Sequence, residues 1–344
     1  MAALGCLAGA APAGARIVLD YTSVGTFSEQ FFYNNCGISA RGSDQMNVNP
    51  AAGPGIGVQG GDDSSLDGGE TLAFQFTDDL LGQPATATDV SYVASAASGG
   101  GSAAISIEAF DSANASLGTQ PFSGTSEQSI SPAFGGAPIQ RLVVTANADP
   151  VRIEQIAYTP APGTGISVGW AYGGAYQRDE IDLCGVALTG SNTLYVGGLG
   201  AAGGGGVGVV GGIGGGQPNQ TIDTGETLTV SLPEAETDVA LHLSSNFYLT
   251  VDGGAAFDVA ALGAQGVSLG TAHVKTDQLD VDVSGLFSDA PIGSFTIESS
   301  PGGSDGEQLG SVTFRVPEPD GAASALAAAA SMSLVGLAQR RRPR

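Results

Sequence analysis

The sequence predicts an all-β protein: two tandem β-sandwiches of jelly-roll type, followed by a C-terminal uncharged helix long enough to cross a membrane. Three observations predict this. Short segments alternate apolar and polar residues between clusters of Gly, Asn, Asp and Pro. A series of matches recurs about 150 residues further along the chain. Near the C-terminus, an uncharged run ends in a cluster of arginines. Composition narrows the field. The 344 residues include 55 Gly, but without a G-X-Y period, so collagen is excluded. Hydrophobic content of 42% against 13% charged is too apolar for a disordered chain. The net charge is -23 and Lys275 is the sole lysine, which leaves no basic surface to neutralise phosphates and excludes nucleic acid as a partner.

In chain order, residues 71–76 (TLAFQF), 105–110 (ISIEAF), 141–145 (RLVVT), 227–232 (TLTVSL), 247–251 (FYLTV) and 279–283 (LDVDV) have the alternation of strands buried on one face. No long segment of 3.6-residue period occurs among them. The repeat is read from ordered matches. Cys36-Gly37-Ile38 returns as Cys184-Gly185-Val186, offset 148, and Gly55-Ile56-Gly57-Val58 as Gly206-Val207-Gly208-Val209, offset 151. The acidic turn at residues 66–72 (LDGGETL) returns at 222–228 (IDTGETL), offset 156. Phe110-Asp111 matches Phe257-Asp258 at offset 147, and Leu117-Gly118 matches Leu269-Gly270 at 152. Residues 16–160 are therefore expected as one sandwich, 165–315 as a second and 161–164 as the linker, each copy long enough to bury its own core. The Gly-rich run 197–216 is expected as a surface loop, since no helix pattern follows it to complete a dinucleotide site.

The two ends read as addresses. Residues 1–15 are small and apolar and close on Ala13-Gly14-Ala15, which fits a secretory signal peptide cleaved before Arg16, with Cys6 in the discarded part. At the other end Val316-Pro317-Glu318-Pro319 precedes an uncharged run at 321–338, and Arg340, Arg341 and Arg342 follow. A run of that length spans roughly 27 Å as a helix, about the thickness of a bilayer core. The arginines hold the terminus in the cytoplasm while the body lies outside. This tail resembles the PEP-CTERM sorting signal of bacterial exported proteins, with all three parts in order over residues 316–344. The resemblance implies transient anchoring in the membrane and processing by an exosortase-type enzyme. The run departs from the pattern in being mostly Ala, Gly and Ser.

Chemistry is sparse in the body. His242 and His273 sit in strand-like alternation and are expected to face solvent; no H-E-x-x-H or G-x-S-x-G motif is present. Asp62, Asp63, Asp67 and Glu70 on a Gly-flexed loop are the oxygen donors that Ca²⁺ takes. The other reading of Asp67 and Glu70 is a tight turn capped by its own carboxylates, and this is favoured for Asp223 and Glu226, which lack counterparts of Asp62 and Asp63. Cys36 and Cys184 form an even pair, permitting a disulfide in an exported chain. Equivalent positions of two domains meet only across a near-symmetric interface, so two buried thiols are the expectation. Trp170 with Tyr172 and Tyr176 could stack on a sugar; packing of these aromatics on the second core is favoured. The function expected is a cell-surface or matrix protein of two non-catalytic sandwiches engaging exopolysaccharide. The alternative is an enzyme acting on extracellular polysaccharide through carboxylates on a sandwich.

Overall fold

Alternation dictates the strands. Along strand Thr71–Asp78, Leu72, Phe74 and Phe76 turn inward and are buried, while Thr71, Ala73, Gln75 and Thr77 turn outward. Strands Ala104–Phe110 and Arg141–Ala146 repeat the pattern, burying Ile105, Ile107, Ala109, Leu142 and Val144. Each fully buried Leu, Ile, Val or Phe contributes roughly 1.5–3 kcal/mol, and these contributions set which face of each strand looks inward. The structure is a computed structural model that describes residues 16–21, 27–29, 33–48, 55–58, 65–97, 103–147, 149–170, 176–197, 206–210, 221–244, 255–276, 279–300 and 308–318. The expected signal peptide, the expected strand at 247–251, Pro319 and the whole C-terminal run with Arg340, Arg341 and Arg342 lie outside them. Among the described residues no helix is long and apolar enough to cross a membrane.

The protein is all-β and sandwich-like. In the first half two antiparallel 7-stranded sheets form. One runs Gln128–Ser129, Ala87–Ala96, Val151–Pro160, Ile56–Val58, Met46–Val48, Phe27–Glu29, with Ile17–Asp20 also beside Val151–Pro160. The other runs Ser116–Ser123, Ala104–Phe110, Arg141–Ala146, Thr71–Asp78, Ile38–Gly42, Tyr33–Asn35, with Gln83–Pro84 beside Thr71–Asp78. The second half forms one 10-stranded antiparallel sheet because strand Thr227–Ser244 serves both layers. Its first part pairs with Ile292–Ser299 and Val186–Gly197, its last part with Gln308–Arg315 and Asp280–Asp282. In the first half the corresponding path is divided between Thr71–Asp78 and Ala87–Ala96.

Unusual backbone recurs in both halves. Cys36 and Cys184 both have φ 61°, Asp89 and Asp238 both have φ 49°, and Gly118 and Gly270 have φ 110° and 118°. The Ser131 hydroxyl accepts from Val90 N–H, and the Ser284 hydroxyl from Val239 N–H, each at 2.8 Å. Tyr21 N–H donates to Glu154 O and Trp170 N–H to Gly310 O, and both aromatics are buried. Trp170 thus belongs to the second core; Tyr172 and the side chain of Tyr176 lie outside the description. One sequence match is out of step with this register. The bulges between Ala109 and Phe110 and between Ala261 and Leu262 put Phe110 level with Leu262, not with Phe257. Phe257 accordingly points into the core, whereas Phe110 faces outward.

Two expectations are corrected. The run at 197–216 is not all loop: Gly206–Val209 is a buried strand inside it, with Val207 and Val209 in the core. A Cβ at Gly206 would lie 3.0 Å from Ser244 Cβ and 3.1 Å from both Gln308 Cβ and Leu309 O, so the strand fits because the residue is Gly. The cysteines are not separate thiols: Cys36 and Cys184 form a disulfide with Cα atoms 6.1 Å apart. The near-symmetric interface this needs is present. Strand Gly165–Gly169 lies against Tyr33–Asn35, and reciprocally Ile17–Asp20 lies against Tyr176–Leu183, the pattern of an approximate two-fold axis.

Polar contacts lock that interface. The Asn35 amide donates to Gly169 O and accepts from Gly169 N–H, both at 3.0 Å, and Cys36 N–H donates to Ser167 O at 2.7 Å. Asp79 accepts from Gly37 N–H, Ser167 N–H and the Thr77 hydroxyl. Burial pushes its carboxyl above the usual range despite these donors. Tyr158 donates to Cys36 O and packs on Phe76 with ring centroids 4.7 Å apart. Gly37 has φ 71°, and a Cβ there would stand 2.6 Å from both Ile166 and the Tyr158 hydroxyl.

Candidate functional site

The acidic turns come first because the sequence singles them out. Asp62 and Asp63 lie outside the described residues. Glu70 turns back so that its carboxylate accepts from Asp67 N–H at 2.8 Å, while Glu70 N–H donates to Asp67 O at 3.0 Å. The second turn is built alike: Asp223 N–H donates to the Glu226 carboxylate at 2.9 Å, and Glu226 N–H returns to Asp223 O. Burial, followed by the neighbouring Asp223, raises the Glu226 carboxyl. Each turn therefore uses its Glu to satisfy its own backbone. Among the described residues no three His, Cys, Asp or Glu side chains converge on a point where a metal could sit.

The start of the tail motif is docked in the body. Val316 is 2% exposed; its N–H donates to Thr164 O at 3.0 Å, and its carbonyl accepts from Gly163 N–H at 2.9 Å. Arg315 beside it holds Asp238 at 3.0 Å and Asp78 at 3.5 Å, and donates to Gly163 O, so it ties the linker to both halves. Glu318 is exposed.

Both histidines are on outward strand faces and each meets an aspartate: His242 Nδ1 to Asp280 at 2.8 Å, His273 Nδ1 to Asp258 at 2.7 Å. Ser300 Oγ also lies 3.4 Å from His273 Nδ1. A nucleophile and an orienting carboxylate must use opposite ring nitrogens, so this is no Ser-His-Asp relay. Asp258 stands directly across from Glu298 on one side and His273 on the other, which gives the second half an outward row of Glu298, Asp258 and His273.

The first half presents a different row. Ser39, Gln75, Arg141 and Phe110 are consecutive cross-strand partners, and the next outward row is Arg41, Ala73, Val143 and Glu108. The Arg141 guanidinium lies 3.8 Å over the centre of the Phe110 ring and donates to the Asn114 side chain at 3.1 Å. Glu108 accepts from the Ser116 hydroxyl at 2.8 Å. Sequence reasoning missed this face. Its members are up to 104 residues apart, from Ser39 to Val143, and only the register aligns them.

Glu236 is the strangest group in the chain. It is 0% exposed, lies at the register shift in strand Thr227–Ser244 opposite Ile292, and neither carboxylate oxygen has a hydrogen-bond partner among the described residues. Burial, with Glu234 nearby, pushes its carboxyl up to about 8, so it is held as a neutral acid near pH 7. In the first half the corresponding bridge, Ala87 with Ile139, carries Ala.

No protein-family model matches the chain, and no curated protein matches it. Among solved structures it is similar to allantoicase from Saccharomyces cerevisiae at 11% identity, over 77% of this chain and 81% of that one, with TM-score 0.35. A CBM22 tandem domain from Paenibacillus barcinonensis matches at 9% identity over 89% of this chain and 99% of that one, TM-score 0.22. A fucolectin from striped bass, Morone saxatilis, matches at 10% identity over 86% and 98%, TM-score 0.19. Likeness at these TM-scores says nothing of shared chemistry.

Proposed function

We propose that this is an exported protein of the cell envelope or extracellular matrix, sorted through its C-terminal tail by an exosortase-type enzyme. Its body is two non-catalytic jelly-roll modules, residues 16–160 and 165–315, descended from one duplicated unit and engaging exopolysaccharide. The observation that carries export is the Cys36–Cys184 bridge. Disulfides persist in oxidising compartments and are rare in the cytoplasm, so a bridge that closes the two halves together belongs outside. The outward polar face around Arg141 supports the binding role, since it offers guanidinium and amide groups on rigid strands. Co-sedimentation of the purified chain with exopolysaccharide extracted from the native cell tests this. Retention in the polymer pellet is expected, and a chain that stays wholly in the supernatant overturns it.

A second reading, a polysaccharide-active enzyme, is favoured by the Glu298, Asp258 and His273 row, where two carboxylates face each other across adjacent strands. Release of reducing ends from the same polymer, abolished in Asp258→Asn and Glu298→Gln, would establish it in place of the non-catalytic reading.

A further inference from the structure

Resting on the polysaccharide reading above, we infer that the outward face of the first half bearing Arg41, Ser39, Gln75 and Arg141 binds an acidic polysaccharide, a chain of uronate sugars. Charge is the first argument. The chain carries 34 acidic residues against 11 basic ones, so a surface arginine would find a carboxylate almost anywhere. Arg16 does, at Glu127, and Arg315 does, at Asp78 and Asp238. Arg41 and Arg141 share one face, and among the described residues neither has a carboxylate within 4.0 Å. Glu108, diagonal to Arg141, is an anion on the same face although it accepts from the Ser116 hydroxyl, so the face holds two cations against one anion. The result is a local positive site on an otherwise negative protein.

Geometry is the second argument. Two strand spacings across and two residues along separate the two arginine Cα atoms by roughly 12 Å. Between them lie Ala73 and Val143, whose small apolar side chains make a shallow floor, and Ser39 and Gln75, which offer hydrogen bonds. The Phe110 ring and the Asn114 amide fix the Arg141 guanidinium and leave most of its N–H donors available. A fork held in advance loses less entropy on gripping a carboxylate in two-point fashion. The guanidinium also covers one face of Phe110, so that face cannot stack on a neutral sugar. Recognition here has to come from charge.

The second half supplies the internal contrast. At the same ladder positions it has Ala187, Ser231, Ser294 and Leu262, then Thr189, Thr229, Thr296 and Ala260, without a charge among them. Among the described residues, this face is cationic in the first half and uncharged at the same positions in the second.

Affinity electrophoresis of the whole chain through polygalacturonate, and through neutral dextran, at about 0.15 M salt tests the inference; at that ionic strength charges beyond about 8 Å are screened. Retardation by polygalacturonate alone is expected, at least tenfold weaker in Arg41→Gln and abolished in Arg41→Gln, Arg141→Gln. Arg41 is exposed, so its variant keeps the fold, and unchanged melting confirms this for both. Retardation by dextran but not polygalacturonate, or full retention of polygalacturonate binding in the double variant, overturns the inference and leaves the polysaccharide reading standing. No retardation by either polymer, together with failure to sediment with the native exopolysaccharide, overturns both.

Discussion

The two halves use one scaffold for two different surfaces and two different cores. In the first, Arg141 lies over Phe110 in a row with Gln75 and Ser39; in the second, the matching row is bland, and the charged groups sit two outward rows further along as Glu298, Asp258 and His273. The cores differ too, in a carboxyl among other things: Ala87 in the first half stands where the second has the neutral acid Glu236. What both halves keep is what joins them, the Cys-Gly turns with left-handed cysteines and the reciprocal strand contacts. The difference teaches that one scaffold can keep a common joint while each outward face carries its own chemistry.

Breaking the joint should have the largest effect. The bridge closes a loop with sequence separation 148, and removing it should cost about 4–5 kcal/mol in denaturant unfolding. Cys36→Ala, Cys184→Ala and the double variant should unfold at one lowered midpoint; an unchanged midpoint would mean that the interface stands without the bridge.

Exchanging the core position that carries the carboxyl comes next. Glu236 has a folded pKa of about 8 against an ordinary 4.5. Between those values the native state alone holds the proton, so stability falls as pH rises through that window, by up to about 1.4 kcal/mol per unit. Glu236→Ala, which installs the first half's residue, should remove that slope and raise stability at pH 8. Ala87→Glu should create the slope and destabilise by several kcal/mol, roughly the cost of burying an unpaired carboxyl. Unfolding curves across pH 4.5–9 that coincide for all three proteins would refute the assignment of Glu236 as a neutral buried acid.

Smaller effects separate packing from turn geometry. Gly206→Ala forces a Cβ against Ser244, Gln308 and Leu309 and should cost about 1–3 kcal/mol. Gly225→Ala meets no atom within 4 Å but has φ 84°, so its cost should be about 1 kcal/mol, from backbone strain alone. Equal costs would show that Gly206 is not packed as described. Smallest is the Ca²⁺ response. If Asp62, Asp63, Asp67 and Glu70 bind the ion, Ca²⁺ should raise the melting temperature at about 0.15 M salt, and Asp67→Ala, Glu70→Ala should abolish the rise. A rise that survives in that variant leaves those two residues as turn caps only.

Much of the scaffold is legible in the sequence because two-residue alternation and turn chemistry are local. The strands about residues 71–76 and 141–145, the matching acidic turns and the equivalence of the cysteines all rest on nearby residues. Three things escape because they depend on register or on contacts between halves. The bulge that aligns Phe110 with Leu262 is invisible to a search for identical dipeptides. The disulfide requires a two-fold arrangement that nothing in either copy alone specifies. The Arg141 face exists only once four strands are paired in order. Glu236 escapes for another reason: it shares the inward parity of Leu228, Val230 and Leu232, but a carboxylate is not expected in a core.

Export of a body whose two halves are covalently joined is the central claim, and one measurement meets it directly: mass spectrometry, without reduction, of the protein recovered from fractions of the native cell. A cross-linked peptide containing Cys36 and Cys184, an N-terminus at or near Arg16, and no peptide carrying Arg340, Arg341 or Arg342, all from the envelope or extracellular fraction, is the expected result. An intact basic tail and free thiols at both positions in protein from the cytoplasmic fraction would contradict it.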